Sequence, residues 1–235
     1  MTYVMSDLHG RYEQYRRMLE VIGFSEADEL YILGDVVDRG PEPVRILTDM
    51  SMRPNVYPIL GNHEYMAEYL LAKLSAEITD DNAEGHLTAE DLSALAGWLV
   101  DGGQTTLEEF RRLTPDERLG ILDYLSEFSP YEELDVNGRR FVLVHGGLPL
   151  EEFSPERPLW EYDEYELITA HTDYTRRYFP DRYLVTGHVP TGLIDPACGG
   201  HIFSRNSHFA IDCGNGGGGA LGCLRLEDLA EFYVE

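Results

Sequence analysis

The chain is poor in positive charge, in cysteine and in long apolar stretches. It carries 18 Lys and Arg against 43 Asp and Glu, a formal net charge of −25. Such a surface repels a phosphate backbone, which excludes tracts of DNA or RNA as partners. Any phosphate site must then be locally cationic, through metal ions or a few arginines. The three cysteines, Cys198, Cys213 and Cys223, form no CxxC pair. A disulfide framework is not expected, and a reducing compartment fits. Each lies beside apolar residues, as a buried, inert thiol would. No run is long enough to span a membrane. The N-terminus enters a strand-like run with no basic segment leading an apolar one. The expectation is a cytoplasmic protein with no membrane partner.

With 235 residues and 43% hydrophobic content, the chain can bury one sizeable core, and a single domain over 1–235 is the default. Five apolar runs each deliver polar side chains at their C-terminal end. Tyr3-Val4-Met5 leads to Asp7 and His9; Leu30-Tyr31-Ile32-Leu33 leads to Asp35, Asp38 and Arg39. Val56-Tyr57-Pro58-Ile59-Leu60 leads to Asn62 and His63. Phe141-Val142-Leu143-Val144 ends at His145, and Tyr183-Leu184-Val185-Thr186 at His188. In open α/β sheets that edge is where ligands bind. Carboxylate, imidazole and carboxamide together suit Mn, Fe or Zn. If the ends converge, Asp7, His9, Asp35, Asn62, His145 and His188 could surround two metals, with Asp35 bridging. Such a pair can clamp a phosphate for in-line attack.

Apolar residues at Tyr12, Tyr15, Leu19 and Ile22, and at Val44, Leu47 and Met50, recur at helical spacing. Pro41 is expected in the first turn of the second helix. Residues 64–76 continue as a helix rich in Ala, Leu and Glu. Strands alternating with helices in this way imply parallel pairing. From about 77 to 129 the chain reads as helical and polar, a cap-like segment over the site. Thr88 opens one of its helices and Thr114-Pro115 another. Asn137-Gly138 between two strand-like runs signals a hairpin, and four short strands follow near Phe203, Phe209, Leu221 and Phe232. The Gly214–Gly219 loop is not a P-loop, because no Lys-Ser or Lys-Thr follows it.

The blocks DLHG, GDVVDRG, GNHE, HGG and GHVP, in that order, resemble the calcineurin-like metallophosphoesterases. More narrowly they resemble the phosphoprotein phosphatase branch in its small bacterial form. Trp98 to Thr106 is similar to a stretch common in bacterial members. The resemblance implies a four-layer αββα fold, two packed mixed β-sheets flanked by helices. It implies one metal on Asp7, His9 and Asp35 and a second on Asp35, Asn62, His145 and His188, with Mn favoured and Fe or Zn admissible. It further implies a hydroxide bridging the two metals as nucleophile, Arg39 on the phosphate, and His63 as general acid held by Asp38. The implied partner is a phosphorylated protein or a small phosphoester or nucleotide. The leading expectation is a serine/threonine protein phosphatase. The alternative is a symmetrical diadenosine tetraphosphate hydrolase; a non-catalytic interaction module is the remote third.

Two positions depart from that pattern. Tyr162 stands where a second phosphate-binding arginine is usual, leaving Arg157, Arg176 or Arg177 as substitutes. It reads as a packed aromatic with a satisfied hydroxyl ahead of a phosphate contact. Leu60 precedes Gly61 where many protein phosphatases have Arg. Trp98 and Trp160 read as core anchors, and His86, His171, His201 and His208 as surface or core residues without a role. The acidic residues between 151 and 166 read as a solvated face.

Overall fold

The computed structural model describes residues 1–77, 86–151 and 153–235. The first sheet begins with β1 (Thr2–Met5), β2 (Glu29–Leu33) and β3 (Val56–Ile59), which are parallel neighbours. They are separated by α1 (Tyr12–Val21) and α2 (Pro43–Ser51) and followed by α3 (Asn62–Ser75). Pro43, rather than Pro41, takes the first turn of α2. There its missing N–H removes no helical hydrogen bond. The segment expected to be helical at 77–129 supplies α4 (Ala89–Trp98), a π-turn (Leu99–Gly103), α5 (Gln104–Phe110) and α6 (Pro115–Leu125); residues 78–85 lie outside the described ones. Thr88 and Thr114 each accept from the backbone N–H three residues on, at Asp91 and Glu117, whose carboxylates reach back to the cap.

The second sheet holds the expected hairpin of β4 (Tyr131–Val136) and β5 (Arg139–Val144), turned at Asn137-Gly138, both with positive φ. After α7 (Glu164–Thr169) come β6 (Arg182–Thr186), α8 (Thr191–Ile194), β7 (Phe203–Arg205) and β8 (His208–Ala210). The chain then returns to the first sheet as β9 (Leu221–Arg225) and β10 (Ala230–Val234). The sheet orders are β10-β9-β1-β2-β3 and β4-β5-β6-β8-β7. Both are mixed: in the first, β9 runs antiparallel to its neighbours β1 and β10, and in the second, β5, β6 and β8 run parallel while β4 and β7 pair antiparallel at the edges.

Strand alternation explains the layers. Val4, Tyr31, Leu33 and Ile59 point to one side of the first sheet and pack on Phe141, Leu143, Val185 and Phe209 of the second. Tyr3, Met5, Leu30 and Ile32 point to the other side and are covered by Tyr15, Met18, Leu47 and Leu70 from the helices. Val142, Val144 and Leu184 face outward from the second sheet against Leu159, Tyr162, Leu167 and Phe179. This outer layer is built from the short α7, a 3₁₀ turn (Leu159–Glu161) and irregular chain. Leu60 is a core residue here, its N–H donating to Ser129 O. No helix among the described residues is long and apolar enough to cross a membrane.

The parallel strands β1, β2, β3, β5 and β6 share one feature. Each is followed directly by one of the polar blocks singled out from the sequence, so all five blocks leave C-terminal strand ends.

Candidate active site

The blocks converge. Asp35, at the end of β2, places Oδ1 3.2 Å from His145 Nε2. Its Oδ2 lies 3.6 Å from His9 Nε2 and 3.8 Å from His63 Nε2. Two trios of donors lie mutually within 4.8 Å: His9, Asp35 and His63, and Asp35, His145 and His188. Asn62 Oδ1 is 3.1 Å from His145 Nε2. The second trio, with Asn62, coincides with the second predicted ligand set. In the first, His63 stands where Asp7 was expected. Asp7 Oδ2 accepts instead from Ser6 Oγ and from the His188 N–H.

The local backbone is costly. Asp7, His9, Asp35, Asp38, Arg39 and His188 all have φ between 44° and 70°. L-residues rarely occupy this region, and strain of this kind gathers at functional sites. Close approach adds to it: a Cβ on Gly61 would lie 2.5 Å from Asp35 N, and one on Gly187 2.5 Å from Asp7 Oδ2. Glu64 offsets part of the cost. Fully buried, its carboxylate accepts from the N–H groups of Asp35, Val36, Val37 and Gly61, fixing the turn after β2.

Electrostatics indicate what the pocket is suited to hold. His9 Nδ1 lies 3.0 Å from Val37 O, and His145 Nδ1 2.6 Å from Leu33 O. Each ring therefore donates through Nδ1 and turns the lone pair of Nε2 inward. Burial lowers the His9 pKa to about 3, lowers His145, and lowers His188 to about 4 with help from His145. These imidazoles are neutral. The Nε2 lone pairs of His9 and His145 thus lie 3.6 and 3.2 Å from Asp35 oxygens, acceptor against acceptor, an arrangement that a bound metal ion would reconcile. Asp7, Asp35 and Asp212 are also buried together. Burial first, then mutual repulsion, raises Asp7 well above the carboxylate range, and burial raises Asp212 to about 6. The donor set therefore fits divalent metal ions by its chemistry.

His63 differs. Burial alone would lower its pKa, but Asp35 and the bond to Asp38 outweigh burial and raise it to about 9. Its Nδ1 is 2.6 Å from Asp38 Oδ2. Asp38 is held in turn by Trp98 Nε1 at 2.7 Å and Thr106 Oγ1 at 2.5 Å. Arg39 Nη1 donates to His9 Nε2 at 2.9 Å, its Nη2 lies 3.0 Å from His63 Nε2, and Asp101 accepts from Nη2 at 3.1 Å.

Other residues weighed from the sequence fall as follows, with Trp160 the one correction among them. Tyr162 is buried, its ring under Arg157, its hydroxyl donating to Ser154 O and accepting from Ser154 N. It is a packing residue. Arg176 and Arg177 donate to the carbonyls of Leu150, and of Phe179 and Pro180. Trp160 is 72% exposed and anchors no core. His171 packs edge-on against His188, with centroids 5.6 Å apart, and so belongs to the site's surroundings. His208 is a core residue bonded to Thr186. The acidic residues described between 151 and 166 are exposed, as expected. The cysteines are free; burial raises the pKa of Cys213 and Cys223.

Sequence reasoning missed Glu64, Asp212 and Asn215. Asn215 is buried, and its Nδ2 donates to Asp7 O and Leu8 O at 3.1 and 2.9 Å. Next to it, a Cβ on Gly216 would lie 2.2 Å from His9 Cδ2. The Gly214–Gly219 loop thereby grips the turn after β1. The only sequence signal was a glycine run without an assigned purpose.

The symmetrical bis(5'-nucleosyl)-tetraphosphatase of Wigglesworthia glossinidia brevipalpis is 34% identical over 41% of this chain and 36% of its own length. The enzyme of that name from Erwinia tasmaniensis is 33% identical over 48% and 42%. The chain thus aligns with less than half the length of these relatives. The asymmetrical bis(5'-nucleosyl)-tetraphosphatase PrpE of Geobacillus is 26% identical over 98% of this chain and 92% of its own. Among solved structures, one assigned provisionally as a diadenosine tetraphosphatase superposes with a TM-score of 0.67 at 17% identity, covering 99% of this chain and 92% of that one. A protein serine/threonine phosphatase from Saccharomyces cerevisiae gives 0.55 at 13%, covering 99% and 78%. At such identities the likeness is one of fold. Residues 2–200 match the profile of the calcineurin-like phosphoesterases, and with the fold and the converging donors this places the chain in that family of metal-dependent hydrolases.

Proposed function

We propose that the chain hydrolyses dinucleoside polyphosphates, with Asp7, His9, Asp35, Asn62, His145 and His188 holding two divalent ions. Manganese is the first choice for such oxygen and imidazole donors. The ions would supply charge to activate a water and to neutralise the phosphate under attack. The observation that carries the reading is the sharing of Asp35 between two donor trios, one of which includes His63, with Arg39 beside them.

Each residue has a task its surroundings support. Arg39 offers a planar fork to phosphate oxygens. Its Nη2 is 3.0 Å from His63 Nε2, so an oxygen accepting from Arg39 lies within reach of His63. His63, kept protonated by Asp35 and Asp38, gives its Nε2 proton to the leaving oxygen. Asp38, clamped by Trp98 and Thr106, fixes the ring and stabilises its charge.

The dinucleotide reading now stands ahead of the protein phosphatase expected from the sequence. A relative aligned along nearly the whole chain is named for dinucleoside tetraphosphates, while the likeness to the protein phosphatase from Saccharomyces cerevisiae extends to the fold alone. The test is to load the protein with Mn²⁺ and offer diadenosine tetraphosphate beside a phosphothreonine peptide. Preference for the dinucleotide is expected. Two ADP would mark symmetrical cleavage, AMP with ATP asymmetrical cleavage. Preference for the peptide would restore the protein phosphatase reading. Silence on both with metal bound would favour a non-catalytic module.

A further inference from the structure

Beside the donors lies a cleft of about 440 Å³, lined among others by Asn62, His63, Tyr65, Tyr165, His171 and His188. It is no larger than a cleft of about 450 Å³ between Tyr12 and Leu113, so its chemistry, not its size, singles it out. Three of these residues belong to the reacting centre proposed above, and the cleft therefore opens directly onto the reacting phosphate. Its volume lies within the range of small-molecule sites.

Two features describe the occupant. The lining contains no Lys or Arg, and it includes the carboxylate of Asp101. A phosphate is drawn to the inner end, at His63 and the metal donors, and gains nothing farther out, so the part of a substrate that fills the rest of the cleft is uncharged. The second feature is aromatic. Tyr65, in the first turn of α3, and Tyr165, on α7, place their rings 5.7 Å apart at 59°. Both remain open to solvent, at 40% and 52%. Large aromatic side chains usually bury their faces; two left wet beside reacting groups form a surface for another flat ring. Tyr65 follows Asn62 by three residues on one helix, which fixes the distance from platform to donors.

We propose that Tyr65 and Tyr165 form the stacking platform for a nucleobase of the substrate, whose adjoining phosphate lies on Arg39 and the metal ligands. The inference rests on the phosphoester reading above and specifies which side chains recognise the nucleoside. The cleft takes the base; Arg39 and the ions take the phosphate.

The test is calorimetric titration of the Mn²⁺-loaded full chain with AMP and with ribose 5-phosphate, which present the same phosphate and sugar with and without a base. AMP is expected to bind about tenfold more tightly, the scale of one base–aromatic stack. That ratio should collapse in the doubly substituted Tyr65→Ala/Tyr165→Ala protein and persist in Tyr65→Phe and Tyr165→Phe, because stacking needs the ring and not the hydroxyl. Equal affinities in the unaltered protein, or a ratio that survives the double alanine change, would overturn the platform while leaving the phosphoester reading intact. If Mn²⁺ binds and neither ligand does, that reading falls and the platform with it.

Discussion

At Asp35 one buried carboxylate faces three imidazoles, with His145, His9 and His63 at 3.2, 3.6 and 3.8 Å. If it is shared by two metals, Asp35→Asn should lose bound Mn²⁺ and hydrolysis together, read by elemental analysis and by turnover. Full metal content with activity would place the shared ligand elsewhere. His63 should separate the two readouts. His63→Asn is expected to keep its metal and to lose about 10²–10⁴ in kcat, the usual worth of a general acid, most steeply for poor leaving groups. An even loss across leaving groups would remove the proton-donor role. At this scale the sequence was legible because ligand chemistry needs particular side chains directly after strands, and those are visible as words. Tyr162 shows the limit. Its motif position alone leaves a phosphate contact open, with a packed aromatic the favoured reading. Phe153, Arg157 and Ser154 take up its ring and hydroxyl, and no spacing rule states that these are its partners.

Element by element, the chain announced the helix starts at Thr88 and Thr114 and its hairpin, because caps and turns are local chemistry. Thr114 accepts from the Glu117 N–H as its motif predicts, so Thr114→Ala should cost about 1 kcal/mol of stability by thermal or denaturant unfolding. No change would show that α6 draws its order from tertiary packing alone. The loop between β8 and β9 was not legible in the same way. A glycine run states only that side chains are unwelcome; it does not state that His9 is what they would strike. Nor does one Asn reveal that it bridges 207 and 208 residues of sequence to hold Leu8 O and Asp7 O. Asn215→Ala would leave Asp7 O without this donor, and Leu8 O with the Arg11 N–H alone, beneath a strained turn. We expect a folded protein whose Mn²⁺ affinity falls about 10–100-fold, as when a ligand's outer support is removed. Unchanged affinity in a titration monitored by electron paramagnetic resonance would show that the turn holds itself.

For the whole molecule two charge effects oppose each other. Inside, Asp7, Asp35 and Asp212 crowd one pocket, so ions bound there should stabilise the fold. At a free concentration 100 times its dissociation constant, an ion binding only the native state adds about 2.7 kcal/mol, and chelation should lower Tm accordingly. An unchanged Tm would mean that the pocket tolerates its carboxylates without metal. Outside, a net charge of −25 meets a polyanionic substrate. The Debye length shrinks from about 30 Å at 0.01 M salt to about 8 Å at 0.15 M. Repulsion between surface and substrate then fades, while contacts to Arg39 and the ions, made at short range within the site, are screened far less. With Mn²⁺ held saturating, kcat/KM for diadenosine tetraphosphate should therefore rise with salt across that range. A fall would mean that the local positive field of the metals and Arg39 reaches past the acidic surface and governs the encounter, and that composition alone misjudges how this protein meets its substrate.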